Sequence, residues 1–240
     1  SKEIFEDLVS LLPDVPVLLF PNEESLAVMY SISSMDNTAD RVKALNALAS
    51  GKPCIIVASS GAPHMRLTPV ERWKDALFTM EIGMDIERED LEKLFNQYGY
   101  RREGMVQSPG EYSIRGSIVD FYPLNADHPV RLDFFDTELD SIRLFNAETQ
   151  ESMENIEQTE FYPAQDVIFT PHDQREILDK LKKHLDKHLK KIEDEEVKMQ
   201  LKSVQTEQFT LLEQGEPLKY ANAYLGFWDK EGTSLIDYLQ

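Results

Sequence analysis

The feature of this sequence that most constrains its fold is an alternation of apolar and polar residues through positions 105–145. Period-two alternation is typical of strands that bury one face. The pattern predicts strands over 105–107, 112–121, 130–135 and 141–145. Short linkers with turn residues such as Pro109 and Gly110 separate them, and such linkers join antiparallel neighbours. We therefore expect an antiparallel meander, packed on a helix predicted over 88–98.

Before this meander, residues 1–76 follow a different pattern. Apolar spacing predicts helices over 4–12 and 39–49, and short apolar runs predict buried strands over 15–20 and 54–58. Helices that alternate with buried strands indicate a parallel sheet covered on both faces. Two strands are too few for a stable doubly wound sheet. We expect strands from before Ser1, or from later in the chain, to complete it.

The last part of the chain is predicted to be mostly helical. Helical spacing of apolar residues continues from 172 to about 212, and Gly215 and Pro217 then break it. The whole pattern predicts a multi-domain fold of the α/β and α+β classes. It comprises a truncated parallel α/β domain, an inserted antiparallel sheet-plus-helix domain, and a helical C-terminal extension that packs on the first domain. Their predicted bounds are 1–76, 77–162 and 163–240.

Composition excludes several classes of function. The chain has 25 lysine and arginine residues against 44 acidic residues, a formal net charge of −19. This charge argues against wrapping of nucleic acid by the whole chain and against a basic membrane-binding surface. Cys54 is the single cysteine, which excludes an intramolecular disulfide and a cysteine-based zinc site. No apolar run approaches the roughly 18–20 residues that span a bilayer, so we expect a cytoplasmic protein with no membrane partner.

The sequence lacks the motifs of a self-contained active site. Gly51-Lys52 precedes a predicted strand and is followed by Pro53, which is typical of a helix C-terminus rather than a phosphate loop. Neither G-x-G-x-x-G nor G-x-S-x-G occurs. His184 and His188 stand four residues apart, but the first is not followed by the glutamate of a zincin motif. We expect no catalytic residue, metal site or cofactor in this chain.

Six lysines lie between positions 180 and 191, and four acidic residues follow at 193–196. Blocks of opposite charge usually pair along or between solvated helices. A DNA-contacting face formed by the lysines of 180–191 stays open as an alternative.

The arginines of the predicted sheet are its most informative residues. Alternation puts Arg115 on the face opposite Ile118, and it puts Arg131 and Phe135 on one face together. Arginine and aromatic side chains are enriched at the centres of protein–protein interfaces, so this pattern is typical of a binding face. The alternative is that the arginines neutralise cross-strand acids, which would be Asp120 and Asp133.

The same part of the sequence resembles a known family. Residues 110–123 and 130–145, with 149–152 after them, are similar in order and spacing to a segment shared by the nucleotide-excision-repair protein UvrB and the transcription-repair coupling factors. Residues 66–69 and 162–168 are also similar to the coupling factors. A match of roughly forty residues in order is far more specific than a short motif.

Two observations favour the coupling factors over UvrB. UvrB carries a tyrosine-rich β-hairpin insertion that grips damaged DNA, and no such insertion lies between Phe20 and Ser59. UvrB also tends to read R-x-R-G where this chain has Ser113-Ile114-Arg115-Gly116. The chain is identified by this resemblance as the N-terminal UvrB-homology module of a coupling factor. We expect it to be clipped at both ends and to lack a phosphate loop.

The resemblance implies a non-catalytic role. The middle domain is similar to the UvrB domain that docks the damage-recognition protein UvrA, so the chain is expected to recruit UvrA to a stalled RNA polymerase. In the intact protein, the C-terminal domain is expected to cover the same surface intramolecularly. RNA polymerase, DNA, ATP and magnesium are expected to be bound by a polymerase-binding module and a motor outside this sequence.

By motif position, the resemblance assigns the UvrA-binding surface to Arg115, Arg131, Phe135, Phe121 and Arg143. Two other functions stay open. The module could be an autoinhibitory element that restrains the ATP-dependent DNA translocase, or a DNA-contacting accessory domain of a helicase that uses the lysines of 180–191.

Overall fold

The computed structural model describes residues 2–22, 35–124, 126–214, 221–229 and 232–239. The first part contains helix α1 (Lys2–Leu11), strand β1 (Val17–Phe20), helix α2 (Met35–Ala49) and strand β2 (Ile55–Ala58). β1 and β2 pair in parallel, with Val17 opposite Ile55 and Phe20 opposite Ala58. The predicted alternation of helices and strands is confirmed, and the sheet has two strands within the described residues.

A short connecting region leads into the middle of the chain. It contains a 3-10 helix (Ala62–His64), helix α3 (Val70–Lys74) and strand β3 (Phe78–Glu81), and helix α4 (Arg88–Gln97) follows. Helix α4 agrees with the prediction to within one residue. Strand β3 was not predicted, because a four-residue strand offers too few alternations to be distinguished from a loop.

The predicted meander is a six-stranded sheet. Its strands, in spatial order, are β4 (Arg101–Arg102), β5 (Glu111–Arg115), β6 (Ile118–Phe121), β7 (Val130–Phe135), β8 (Glu138–Phe145) and β9 (Ser152–Ile156). β4 and β5 are parallel, and every other neighbouring pair is antiparallel. Leu91 and Phe95 of α4 are buried in the same core cluster as the apolar face of this sheet. The predicted meander on one helix is therefore confirmed.

The single strand predicted over 112–121 is wrong. Gly116 turns the chain with a φ of 64°, in the left-handed region that favours glycine, so these residues form the hairpin β5–β6. Arg115 consequently pairs with Ile118 across the hairpin. Paired residues share a face, so the two side chains lie on the same face and not on opposite faces.

The strand predicted over 105–107 is also wrong. The backbone N–H groups of Gln107 and Ser108 each donate a hydrogen bond of 2.9 Å to the Glu111 carboxylate. A side chain therefore satisfies the backbone donors that a strand would use, and the segment forms a loop. β4 takes the edge of the sheet instead.

Strand β10 (Gln158–Phe161) returns the chain and pairs antiparallel with β3. Beside it lies an aromatic cluster in which the ring centre of Phe95 is 5.0–5.3 Å from four others, those of Tyr100, Tyr112, Phe121 and Phe161. The core around this cluster continues to Phe20 and Trp73 of the first part. The domain bounds at 76 and 162 stay predictions.

The last part is helical, as predicted, but its long helix is interrupted. Helices α5 (Pro171–Leu189) and α6 (Glu195–Gln214) contact each other, and a 3-10 helix (Ala221–Tyr224) and helix α7 (Leu225–Trp228) follow. The Asp194 carboxylate accepts a hydrogen bond of 2.8 Å from the backbone of Glu196 and so begins α6 as a separate helix. The predicted breakers Gly215 and Pro217 lie outside the described residues.

The chain end returns to the first part. A 3-10 helix (Leu235–Leu239) places the Tyr238 hydroxyl 2.6 Å from the carbonyl oxygen of Thr68. A buried ion pair of 2.5 Å joins Arg41 of α2 to Asp166 in the segment before α5. Among the described helices, none combines the length and the apolar character needed to cross a membrane.

Candidate protein-docking site

Asp120, on β6, is buried and accepts hydrogen bonds from two arginines. Arg115 Nη2 lies 2.5 Å from Oδ2, and Arg131 contacts both oxygens, with Nε 2.7 Å from Oδ1 and Nη2 2.9 Å from Oδ2. The Asp120 side chain is 0% exposed. Charge-assisted hydrogen bonds are among the strongest that side chains make, and here they compensate a buried negative charge.

Arg131 is held by further contacts. Its Nη1 donates to the carbonyl oxygen of Gln150 at 3.4 Å, and its guanidinium carbon lies 4.5 Å from the centre of the Phe145 ring. Its side chain is 14% exposed. The hydrogen bonds to Asp120 raise the pKa of Arg131, so the guanidinium stays charged.

Two arginines near Arg131 have side chains that are more exposed than its own. The Arg115 side chain is 43% exposed. Arg143 pairs with Arg131 across β7 and β8, is 31% exposed, and has its Nη2 3.2 Å from Asp133. The cross-strand neutralisation considered as an alternative is thus present, but Arg115 and Arg131 share one aspartate and Arg143 takes the other. We call this surface the arginine face, and it comprises Arg115, Asp120, Arg131, Asp133 and Arg143.

Phe135 ends β7 beside the arginine face. It is 79% exposed, whereas Phe134 next to it is buried. The register shifts by a β-bulge between Asp133 and Phe134. Phe135 is four positions after Arg131 on the same strand, which corresponds to about 13 Å between their Cα atoms. Aromatic and arginine side chains are both enriched at protein–protein interfaces, so this surface is a candidate for protein docking.

The turn after Phe135 is fixed by the segment that begins α4. Asp136 adopts a φ of 59°, and the Arg88 Nη1 donates a hydrogen bond of 2.6 Å to its carbonyl oxygen. The N–H of Ile86 donates to the carbonyl oxygen of Thr137 at 3.0 Å. Phe135 therefore projects from a backbone that two hydrogen bonds from this one segment hold in place.

Comparison with known proteins relates the sequence around the arginine face to a family. Residues 78–166 match the family model described as UvrB interaction domain. Over this range the chain is similar to that domain family. The arginine face and Phe135 lie inside the matched range, and the resemblance inferred from the sequence is confirmed.

The chain is also similar to transcription-repair-coupling factors along its whole length. It is 35% identical over 238 residues to the factor of Bacillus subtilis, a match covering 99% of this chain and 20% of the relative. Matches to the factors of Staphylococcus epidermidis and Staphylococcus aureus are 37% and 34% identical over 242 residues, and each covers 100% of this chain and 20% of the relative. The chain spans about one fifth of the length of these relatives.

Within the matched residues 78–166, the structure places Phe121 in the core and not on the arginine face. The side chain is 0% exposed, and its ring centre lies 5.2 Å from Phe95 and 5.0 Å from Phe161. Its cross-strand partners, Tyr112 and Val130, are also buried. The assignment of Phe121 to a contacting surface is therefore corrected, since its ring supports the sheet from the core side.

Sequence reasoning missed two residues that support the site. Phe145 lies against the guanidinium of Arg131, and Arg88 holds the turn next to Phe135. A register shift between Leu144 and Phe145 accompanies the first contact, and alternation alone does not indicate a bulge. Arg88 carries no sequence signal, because its acceptor is a backbone carbonyl far along the chain.

The lysines of 180–191 lie outside the matched residues 78–166, on α5 and just after it. Lys180 pairs with Glu176 at 2.6 Å, and Lys182 pairs with Glu213 of α6 at 2.7 Å. The rings of His184 and His188 on the same helix are 4.1 Å apart between centres. In the described ranges, no group of three or more histidine, cysteine or acidic side chains is placed to hold a metal ion.

Proposed function

We propose that this chain is the non-catalytic, UvrA-recruiting module of a transcription-repair coupling factor, which links a stalled RNA polymerase to nucleotide excision repair. The observation that carries the proposal is the exposed Phe135 ring beside the arginine face, both inside the UvrB interaction domain. Aromatic and arginine side chains anchor many protein interfaces, so this surface suits docking.

The arginine face holds three arginines and two aspartates, so it carries a net positive charge, and this local charge favours an acidic partner surface. The face is positive although the segment around it (85–160) contains 18 acidic and 7 basic residues. The planar guanidinium of Arg115 is suited to bind a carboxylate through two parallel hydrogen bonds. In this proposal, Arg115 binds a carboxylate of UvrA and Phe135 enters an apolar pocket.

The module is proposed to work without a cofactor of its own, in the cytoplasm. ATP and magnesium, like RNA polymerase and DNA, are proposed to be bound by other parts of the intact protein. The C-terminal domain of that protein is proposed to cover the arginine face until UvrA is recruited. The similarity to coupling factors across the whole chain supports this arrangement.

Titration of the chain with purified UvrA tests the proposal. We expect a Kd of about 1 μM or lower, and no binding at about 100 μM UvrA would contradict it. Steep salt dependence of binding to duplex DNA would favour the DNA-contacting alternative instead. Inhibition of a separate motor fragment by this chain, without UvrA binding, would favour the autoinhibitory alternative.

A further inference from the structure

Two arginines of the arginine face share one acceptor. Asp120 pairs across strands with Ser113 on β5 and with Arg131 on β7, so it lies between the strands that carry Arg115 and Arg131. Its carboxylate accepts three hydrogen bonds, one from Arg115 and two from Arg131. Because its side chain is 0% exposed, Asp120 does not itself contact a partner.

The hydrogen bonds divide the roles of the two arginines. Arg131 directs Nε and Nη2 at Asp120 and Nη1 at the Gln150 carbonyl, and it is 14% exposed. Three of its five N–H donors therefore point into the protein. Arg115 contacts Asp120 through Nη2 and is 43% exposed, which leaves part of its guanidinium accessible to a carboxylate from outside.

An arginine in water samples many rotamers, and fixing it when a partner binds costs conformational entropy. A contact that already fixes the side chain in the free protein lowers that cost. Asp120 also supplies the negative charge between two guanidinium groups on the strands that flank β6. Without it, the partly buried Arg131 would lose its compensating charge.

We propose that Asp120 is the positioning residue of the docking surface. It holds Arg115 in the orientation that binds a partner carboxylate, and it fixes Arg131 as a support for that arrangement. The inference rests on the proposed function, since it names how the same surface is prepared for UvrA. It assigns direct contact to Arg115 and Phe135, and not to Arg131.

The test combines Asp120→Asn, Arg115→Ala and the double variant in calorimetric titrations with UvrA. Asp120→Asn keeps the shape of the side chain and removes its charge. We expect Asp120→Asn to weaken UvrA binding about tenfold in the wild-type background. In the Arg115→Ala background, the same substitution should change the Kd less than about threefold, because Asp120 acts through Arg115. The control is Asp90→Asn, which breaks an exposed aspartate–lysine pair outside the arginine face and should leave the Kd within about threefold of wild type.

Circular dichroism checks that each variant folds. If Asp120→Asn does not fold, Asp120→Glu replaces it, because glutamate keeps the charge and displaces the carboxylate by one methylene. In the unbound chain, NMR of the arginine Nε–H groups should show slower rotation of the Arg115 and Arg131 side chains in the wild type than in the variant.

A folded Asp120 variant that binds UvrA like the wild type would overturn the inference and leave the proposed function intact. Equal weakening by Asp120→Asn in the presence and absence of Arg115 would also overturn it. A wild-type chain that does not bind UvrA would overturn the proposed function, and the NMR comparison would then decide alone whether Asp120 orders the arginines.

Discussion

The guanidinium of Arg131 lies 4.5 Å from the centre of the Phe145 ring on the neighbouring strand. Phe145 is fully buried, so its ring covers one side of the guanidinium and keeps water away from it. The ring contact and the Asp120 ion pair together fix the side chain of Arg131. The sequence pattern alone indicates only that Arg131 lies on the polar face of its strand.

Replacing Phe145 with leucine should remove this ring contact. We expect the free energy of unfolding to fall by about 1–3 kcal/mol, because a cation–π contact and buried volume are both lost. Urea denaturation measures the change. Phe145→Tyr keeps an aromatic ring against Arg131, so the free energy of unfolding should fall less in this variant than in Phe145→Leu. Equal losses in the two variants would argue against a role of the ring contact.

Phe135 should matter for binding and not for stability. Its side chain is 79% exposed, so Phe135→Ala is expected to change the free energy of unfolding by less than about 0.5 kcal/mol. If the ring anchors the interface, affinity for UvrA should fall by about 2 kcal/mol, close to thirtyfold in Kd. Met153→Ala, at a residue that is 54% exposed on β9, is the control and should bind normally. Normal binding by Phe135→Ala would remove the ring from the site.

The turn at Gly116 can be tested with a matched pair of glycines. An added Cβ would meet no atom within 4 Å at either Gly116 or Gly104, but only Gly116 has a positive φ, of 64°. Gly116→Ala should therefore lower the free energy of unfolding by about 1 kcal/mol through backbone strain, and Gly104→Ala should not. Similar stabilities of the two variants would show that the turn tolerates a side chain.

The alternation of apolar and polar residues predicted the faces of β7 correctly. Val130, Leu132 and Phe134 are buried and Phe135 is exposed. The same alternation failed at Gly116, because apolar residues continue at the same spacing on both sides of the turn and the pattern does not mark where the chain reverses. A glycine within a predicted strand was the available signal for that turn.

Three residues of the candidate site could be named from the sequence, but the sharing of one aspartate by two of them could not. Arg115, Arg131 and Phe135 stand out in sequence, but the sharing of Asp120 by two arginines follows from the register of three strands. The helix break before Asp194 was missed for a similar reason. Helical spacing of apolar residues resumes after the break, and only a capping contact reveals it.

The buried pair of Arg41 and Asp166 should be costly to break. The two side chains are 1% and 7% exposed, so Asp166→Asn leaves a buried guanidinium without its counter-charge. We expect a loss of about 3–5 kcal/mol. Asp90→Asn, which breaks the exposed pair with Lys93, should cost less than about 1 kcal/mol. If urea denaturation gave comparable losses of unfolding free energy for Asp166→Asn and Asp90→Asn, burial would not set the cost of breaking these pairs.

Stability should fall in alkaline solution because of buried tyrosines. Burial raises the pKa of Tyr98 from 10.0 to about 12, and it also raises the pKa of Tyr100 and Tyr238. An unfolded tyrosine ionises near pH 10, so the unfolded state loses protons first and the folded state is destabilised as the pH rises from about 10 to about 12. Circular dichroism and phenolate absorbance measured together check this. Tyrosines that all ionise near pH 10 without unfolding would contradict it.

The most direct measurement is a UvrA titration of the wild-type chain, of the double variant Arg115→Ala/Phe135→Ala, and of a control, Arg101→Ala/Arg102→Ala. The control removes two arginines from β4, at the edge of the same sheet, whose side chains are 51% and 57% exposed. If UvrA docks on the arginine face and Phe135, the first variant should lose about 100-fold or more in affinity and the control should bind within about threefold of wild type. Equal binding by all three chains would contradict the account.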